Sequence, residues 1–566
     1  MRRVWGESGG SLPSEEKALL QTLAVIGKEF PLSLLTRVVE QPEDQLHRLL
    51  AHLQGAEFVY EQPAFPEVEY TFKHALTQEV AYNSLLLERR KGLHERIAQA
   101  IEALFGDRLE DHYSELAHHY SRSGNTERAV AYLQRAGQQA LQRSAHGEAI
   151  AQLTTALELL NTLPDTVERT QQELLLQTTL GPALMAAKGY AAPEVEQAYT
   201  LARELCQHVG QTPQLFPVLW GLWAFYLVRR QGQTARELGE QLLTLAQRQQ
   251  DQALLLIAYQ SLGVTLYYLG ELPPARAHLE RGIALYDPQQ HRSLAFRYGG
   301  DPGVHCRIWA ARALWSLGYP DQALQRSHEA LTLAWELAHP LSLAAALYWA
   351  GSLHQSRWET RAAQERAEAA MTLSSEQGFP FWLAAATMLR SWTLAERGQG
   401  AEGIARMHQG LAALRATGAG IAQPYYLGLL AEAYGKGGQT EEGLRVLAEA
   451  LAAAHTSGER YYEAGLYRLK GELLLAQEGK RQRAKGKSEE VTEAEECFRK
   501  AIEIAQHQSA KSLELRAVMS LSRLWQQQGK KEEARHMLAE IYGWFTEGFD
   551  TADLKEAKAL LRELTH

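Results

Sequence analysis

The sequence predicts an all-α chain, a superhelix of stacked helix pairs behind a small domain of different grammar. Small residues recur at a fixed step: positions 235 to 275, 323 to 363 to 403 to 443, and 494 to 534 are each separated by 40 residues. Glycines punctuate that step at Gly124, Gly270, Gly318, Gly398, Gly438 and Gly529, where a helix has to stop and reverse. Between these points the bulky apolar residues follow helical spacing.

The front segment, 12–75, reads as a winged helix. Ser14 is placed to cap a helix with the apolar stripe Leu19, Leu20, Leu23 and Ile26, which stops at Gly27. Pro31 suits the first turn of a second helix through Val39, and a third follows Pro42 with Leu46, Leu49, Leu50 and Leu53 inward, ending at Gly55. Phe58-Val-Tyr60 and Tyr70-Thr-Phe72 read as two short strands around a proline-containing wing. A long helix from about His74 to Arg90 opens the connector, 76–109, and 1–11 reads as a disordered tail.

The repeats occupy the rest, a first sub-array at 110–164 and the main superhelix at 165–566, with Leu163-Pro-Asp165 at the joint. The clearest copy is Tyr259-x2-Leu262-Gly263-x2-Leu266, then Gly270, Ala275-x3-Leu279-x2-Gly282 and Pro288. This follows the tetratricopeptide (TPR) pattern. Small residues at Gly263 and Ala275 let two antiparallel helices approach, and Leu266 and Leu279 fill the space between pairs. Marking the small residue that opens each second helix gives Ala129, Ala149, Ala198, Ala235, Ala275, Ala323, Ala363, Gly403, Gly443, Ala494 and Ala534, about eleven units. Two long steps contain insertions: Tyr298-Gly-Gly-Asp-Pro-Gly303, and the charged tract Glu478 to Glu493, read as a solvated loop.

Composition and charge remove several function classes. The chain carries 58 Lys plus Arg against 67 Asp plus Glu, and 12–75 carries five against ten, so the third front helix presents no basic face for a phosphate backbone. Nucleic acid is therefore not an expected partner. Cys206, Cys306 and Cys497 form no CxxC pair, which fits a reducing cytoplasm and no structural zinc. The most membrane-like run, Phe216 to Val228, is 13 residues long and reads as a buried repeat helix rather than a span.

Several blocks resemble one family. Leu19 to Phe30, Phe72 to Leu86 and Leu93 to Glu102 resemble the region just after the nucleotide domain of bacterial STAND-type signalling ATPases, many of which carry a class III adenylate/guanylate cyclase domain. Glu115 to Gly137, Tyr462 to Gln477 and Ser512 to Leu561 are similar to the repeat region of the same family. The resemblance implies that the array senses a partner or effector and relays it through the Phe72 to Glu102 connector. It also implies that His74, in the FKHAL motif, is a nucleotide sensor, whereas its place at the strand end reads as helix capping. Only about eleven residues precede the first front helix, and a nucleotide domain needs on the order of 100. Gly486-Lys487-Ser488 ends like a P-loop, but Arg481 stands where its first glycine must be.

Other constellations read as structural. Gly6-Glu-Ser8-Gly-Gly10 matches GxSxG without the strand and helix of a nucleophile elbow. His112, Glu115 and His119 share one helix face, but HExxH is absent and exposed polar positions are the better account. Lys480, Arg481, Arg483, Lys485 and Lys487 are offset by Glu489, Glu490 and Glu493 with no interleaved aromatic. Seven tryptophans fall between Trp309 and Trp392, with Trp220 and Trp223 before them; they read first as packing between repeats and second as a binding groove.

The function expected is a non-catalytic sensor or scaffold. It has no catalytic residue, cofactor or metal, and it binds a protein partner or small effector on the concave face, with an ATPase or cyclase domain in trans as a further partner. No membrane contact is expected. The alternatives are an ATP-binding cyclase-type regulator whose catalytic domains lie outside this chain and, less favoured, a DNA-binding regulator.

Overall fold

The computed structural model describes residues 12–39, 41–62, 67–210, 212–481 and 489–565. It comprises two compact units, Met1–Leu176 and Gln177–His566.

The first unit opens with α1 (Ser14–Ile26), α2 (Leu32–Val38) and α3 (Glu43–Gly55) against a sheet of β1 (Glu29–Pro31), β2 (Val59–Gln62) and β3 (Glu69–Phe72). The sheet is antiparallel in the order β1-β3-β2, with Phe30 opposite Tyr70 and Val59 opposite Phe72. Leu20, Leu23, Phe30, Leu35, Leu46, Leu50 and Leu53 form its core. The short strand β1 has no sequence signal of its own, since Pro31 reads as a helix start; an edge strand tolerates that proline. Ser14 does not cap α1: Pro13 holds the N-cap position and no side chain bonds there.

The long helix expected after His74 is two helices, α4 (Ala75–Asn83) and α5 (Leu87–Leu104). The break falls at Ser84, whose hydroxyl donates to the Ala81 carbonyl at 2.7 Å and accepts from Gln21 Nε2 at 2.8 Å. This local bond competes with helix continuation. It turns Leu85 inward, while Leu86 and Leu87 stay exposed. A 3-10 turn at Gly106–His112 leads to α6 (Tyr113–Ser123), α7 (Thr126–Gln142) and α8 (His146–Leu160). The Asn125 side chain caps α7 by accepting the Arg128 amide at 3.2 Å.

Helix α9 (Val167–Lys188) carries the chain into the second unit, followed by α10 (Pro193–Val209). Helix pairs then succeed one another: α11 (Leu215–Val228) with α12 (Gly232–Gln249), α13 (Gln252–Tyr268) with α14 (Leu272–Leu285). Two short helices, α15 (Pro288–His291) and α16 (Leu294–Arg297), fill the first long step. The pairs resume as α17 (Pro302–Ser316) with α18 (Pro320–Leu337), α19 (Pro340–Ser356) with α20 (Thr360–Gln377), and α21 (Pro380–Glu396) with α22 (Gly400–Ala416). They finish as α23 (Gln423–Lys436) with α24 (Thr440–Ser457), α25 (Glu463–Arg481) with α26 (Glu489–His507), and α27 (Lys511–Gln527) with α28 (Lys531–Trp544), before a last helix α29 (Ala552–Thr565).

All eleven marker residues lie in helices, nine of them at the fourth position. The alanine markers are buried because there the second helix of a pair crosses close to the first. A side chain at Gly263 would meet Leu279 at 2.5 Å, the pairing that the TPR pattern demands. One marker breaks the alternation: Ala149 opens α8, which follows α7 directly, so it belongs to an extra helix and not to a further pair. Helix α11 is buried from Phe216 to Phe225, as a repeat helix between neighbours should be. No helix among the described residues is long and apolar enough to cross a membrane.

The second unit coils back on itself. The carbonyl of Val228, last in α11, accepts the amides of Gly420 (2.9 Å) and Ile421 (3.0 Å); that of Tyr268, last in α13, accepts the Arg460 amide at 2.8 Å. Val228 and Gly420 are 192 residues apart, as are Tyr268 and Arg460. The Trp315 carbonyl in α17 accepts Ser512 Oγ across 197 residues. These separations are close to five 40-residue steps, so the loops at Gly420 and Arg460 satisfy the otherwise unpaired last carbonyls of helices about five pairs earlier, and Ser512, in the first turn of α27, adds a second donor to a carbonyl near the end of α17. Gly418 makes the approach possible: its φ is +76°, and a side chain would lie 2.4 Å from the Ala191 carbonyl oxygen.

Candidate functional site

First helices of successive pairs face inward along this coil, and there they leave an aromatic cleft. Trp220 and Trp223 of α11, Gln260, Val264 and Tyr268 of α13, His305 and Trp309 of α17, Trp349 of α19 and Trp382 of α21 line it, with Tyr190, Tyr298, Phe381 and Ile421. It measures about 660 Å³ with its mouth. No Lys, Arg, Asp or Glu is in the wall. Trp309 lies 4.5 Å from Trp349 between ring centres, and Trp220 lies 5.1 Å from Tyr298, edge to face.

The polar groups of the wall divide into two kinds. Trp223 Nε1 donates to Thr265 Oγ1 at 2.9 Å, and Gln260 Nε2 sits 3.2 Å from His305 Nδ1. Burial pushes the His305 imidazole down to about 4, so it is neutral near pH 7. Trp220 Nε1 and Tyr298 Oη are buried without an acceptor. Val228 and Ile421 line the cleft and also make the contact between coils, so the site is built across that seam.

Behind the wall Arg312 is buried, its Nη1 donating to the Ser352 carbonyl at 3.2 Å and to Ser356 Oγ at 2.9 Å. Glu459 is buried at the seam, where Oε1 accepts the Ala422 amide at 3.3 Å and Oε2 has no partner. Burial pushes its carboxyl up to about 8, against the pull of Arg230. Of the clustered tryptophans, Trp315 and Trp392 are packing residues and Trp335 is 61% exposed; Trp309, Trp349 and Trp382 reach the cleft.

The residues singled out in the first unit are not brought into one site. His74 holds the N-cap position of α4 in extended backbone, exposed, and its side chain makes no cap bond. His112 pairs with Glu115 at 2.9 Å and stacks on Phe105. His119, expected to be exposed, is buried: its Nδ1 lies 2.9 Å from Nδ1 of His94, which in turn meets the Tyr82 hydroxyl at 3.1 Å. Burial lowers both imidazoles to about 3. Among the described residues no group of three or more His, Cys, Asp or Glu is placed to hold a metal ion. The GxSxG stretch and Gly486-Lys487-Ser488 lie outside the described residues, as does most of the basic stretch.

The architecture is a TPR-like superhelix. No family model matches the sequence. The chain is 28% identical over 469 residues to an uncharacterized protein of Rhizobium meliloti (strain 1021), the match covering 80% of this chain and 43% of that protein. It thus spans less than half the length of that relative. Among solved structures it is similar to a Rap protein complexed with Competence and Sporulation Factor (TM-score 0.48, 13% identity, 67% of this chain and 98% of that one). It is also similar to a STAND protein with a tetratricopeptide repeat sensor from Pyrococcus horikoshii (TM-score 0.35, 10% identity, 71% and 63%) and to the Cut9–Hcn1 assembly (TM-score 0.39, 12% identity, 87% and 99%). These are likenesses of fold.

Proposed function

We propose that this TPR-like superhelix is the non-catalytic sensing part of a bacterial, cytoplasmic signalling ATPase, binding a partner or effector on its inner face. The observation that carries the reading is the aromatic cleft, which is built by the first helices of several repeats, uncharged, and bordered by the seam between coils. Concave apolar walls with a few placed polar groups are what ligand sites have in common. Binding must favour one state of the relay, here the winged-helix segment 12–75 and the 76–109 connector, or nothing is transmitted. The relative's greater length leaves room for an ATPase or cyclase region.

Calorimetry of the purified 566-residue chain with magnesium and ATP or ADP tests this reading. The expected result is no saturable heat. Stoichiometric binding would mean a nucleotide site within the chain itself and would withdraw the non-catalytic reading. His74 is proposed as a nucleotide-reporting residue only in a full-length relative. There His74→Ala should weaken the response to nucleotide, and an unchanged response removes the role.

A further inference from the structure

We propose that Glu459 is the proton-operated latch of the seam between coils: the seam stays seated while the carboxyl carries its proton and opens at the loops around Gly420 and Arg460 when the proton passes to water. The latch stands on the seam's own geometry and holds whatever the inner face binds.

Position singles out this residue. One seam contact is made by the amides of Gly420 and Ile421 on the Val228 carbonyl, the next by the amide of Arg460 on the Tyr268 carbonyl. Glu459 joins the two. Its Oε1 accepts the amide of Ala422, the residue after Ile421, at 3.3 Å, and its own chain neighbour is Arg460. One side chain therefore braces both loops that return to the earlier coil. Ala422 is under constraint there, since its φ is +59°, a left-handed conformation unfavourable for alanine.

The surroundings decide the charge. Glu459 is buried, and its Oε2 has no hydrogen-bond partner. The titratable groups that face it are Arg230 after α11, Tyr268 at the end of α13, Tyr426 in α23 and Tyr461 before α25. Burial keeps the three phenols un-ionised by raising them above their ordinary range. Arg230 attracts a carboxylate but is engaged elsewhere, its guanidinium donating to Gln423 Oε1 and, at 3.3 Å, to the Ala453 carbonyl. An ionised Glu459 would hold a buried charge on an oxygen that no donor meets, where water would stabilise it far better. Water reaches it when its loop lifts, and that movement withdraws the Arg460 amide from Tyr268 and frees the Ala422 amide. Val228, Tyr268 and Ile421 also line the aromatic cleft, so the opened latch widens the cleft on that side.

The carboxyl titrates at about 8 in the seated seam and at its ordinary 4.5 once hydrated. Opening should thus become about tenfold easier for each pH unit between 6 and 8, and no easier well above 8. Hydrogen exchange on the whole chain, each rate divided by that of an unstructured amide at the same pH, reads this directly. Protection of the Gly420, Ile421 and Arg460 amides should fall about a hundredfold between pH 6 and pH 9. At pH 9 it should lie below that of interior amides of α13 and α23, because the seam opens while its helices stay formed. Glu459→Gln, which keeps an acceptor for Ala422 and never ionises, should retain at pH 9 the protection it has at pH 6. Equal protection of the parent at the two pH values, an equal fall in Glu459→Gln, or seam amides that exchange only at the rate of the helix interiors would overturn the latch. Should the variant not fold, the parent's profile decides: the fall should level off above about pH 8.5, and a fall continuing at the same slope to pH 9.5 would assign the opening to another group. The nucleotide calorimetry tests the sensing reading separately, so either can fail without the other.

Discussion

Glu459 shows how a single side chain couples the seam to pH. Its folded-state carboxyl is raised from 4.5 to about 8, burial being the larger cause and Arg230 opposing it. A raised carboxyl favours the protonated form in the fold. Its contribution is therefore fully present below pH 4.5 and is lost as pH rises through about 8. Glu459→Gln keeps an acceptor for the Ala422 amide and never ionises. The variant should be more stable than the parent at pH 9, by on the order of 1–3 kcal/mol, and nearly equal to it at pH 4.5. Denaturant melts at the two pH values check this, and an equal difference at both would contradict it. None of this was legible in the sequence, where Glu459 is one acidic residue in a turn; its burial depends on Ala422 and Arg230, far off along the chain. His119 escaped for the same reason, since the partner that buries it, His94, lies 25 residues away on another helix.

At the scale of the element, the marker position explains both what was legible and what a substitution would do. Ala or Gly recurs there because the crossing of two helices in a pair is close, a requirement local enough to leave a period in the sequence. At Gly403 the crossing is tighter than at the alanine markers: an added Cβ would lie 2.9 Å from the Ser391 carbonyl oxygen and 3.0 Å from the Ala395 amide nitrogen. Both are backbone atoms of α21 and cannot step aside as a leucine side chain can. Gly403→Ala should thus destabilise the chain by about 1–3 kcal/mol despite the better helix propensity of alanine. A denaturation midpoint at or above that of the parent would show that the pair can open to admit a methyl group. Elements set by non-local bonds were harder to see. The break between α4 and α5 depends on Gln21 reaching Ser84, and β1 depends on pairing with β3 some 40 residues on.

For the whole molecule, the functional reading depends on the second unit coiling back so that loops cap helices about five pairs earlier. The sequence shows the repeat but not this return, because the return follows from the small rotation added at each pair, summed over some 192 residues. It converts what would be an open groove into a closed inner face with an aromatic cleft, and it places Ile421 against Val228 at the rim. Hydrogen exchange resolved to single amides measures this return directly. The amides of Gly420, Ile421 and Arg460 belong to loops, so an open superhelix would leave them exposed to water. The closed coil predicts that they exchange as slowly as the flanking helices, whereas exchange at the rate of an unbonded loop would contradict both the seam and the cleft built across it.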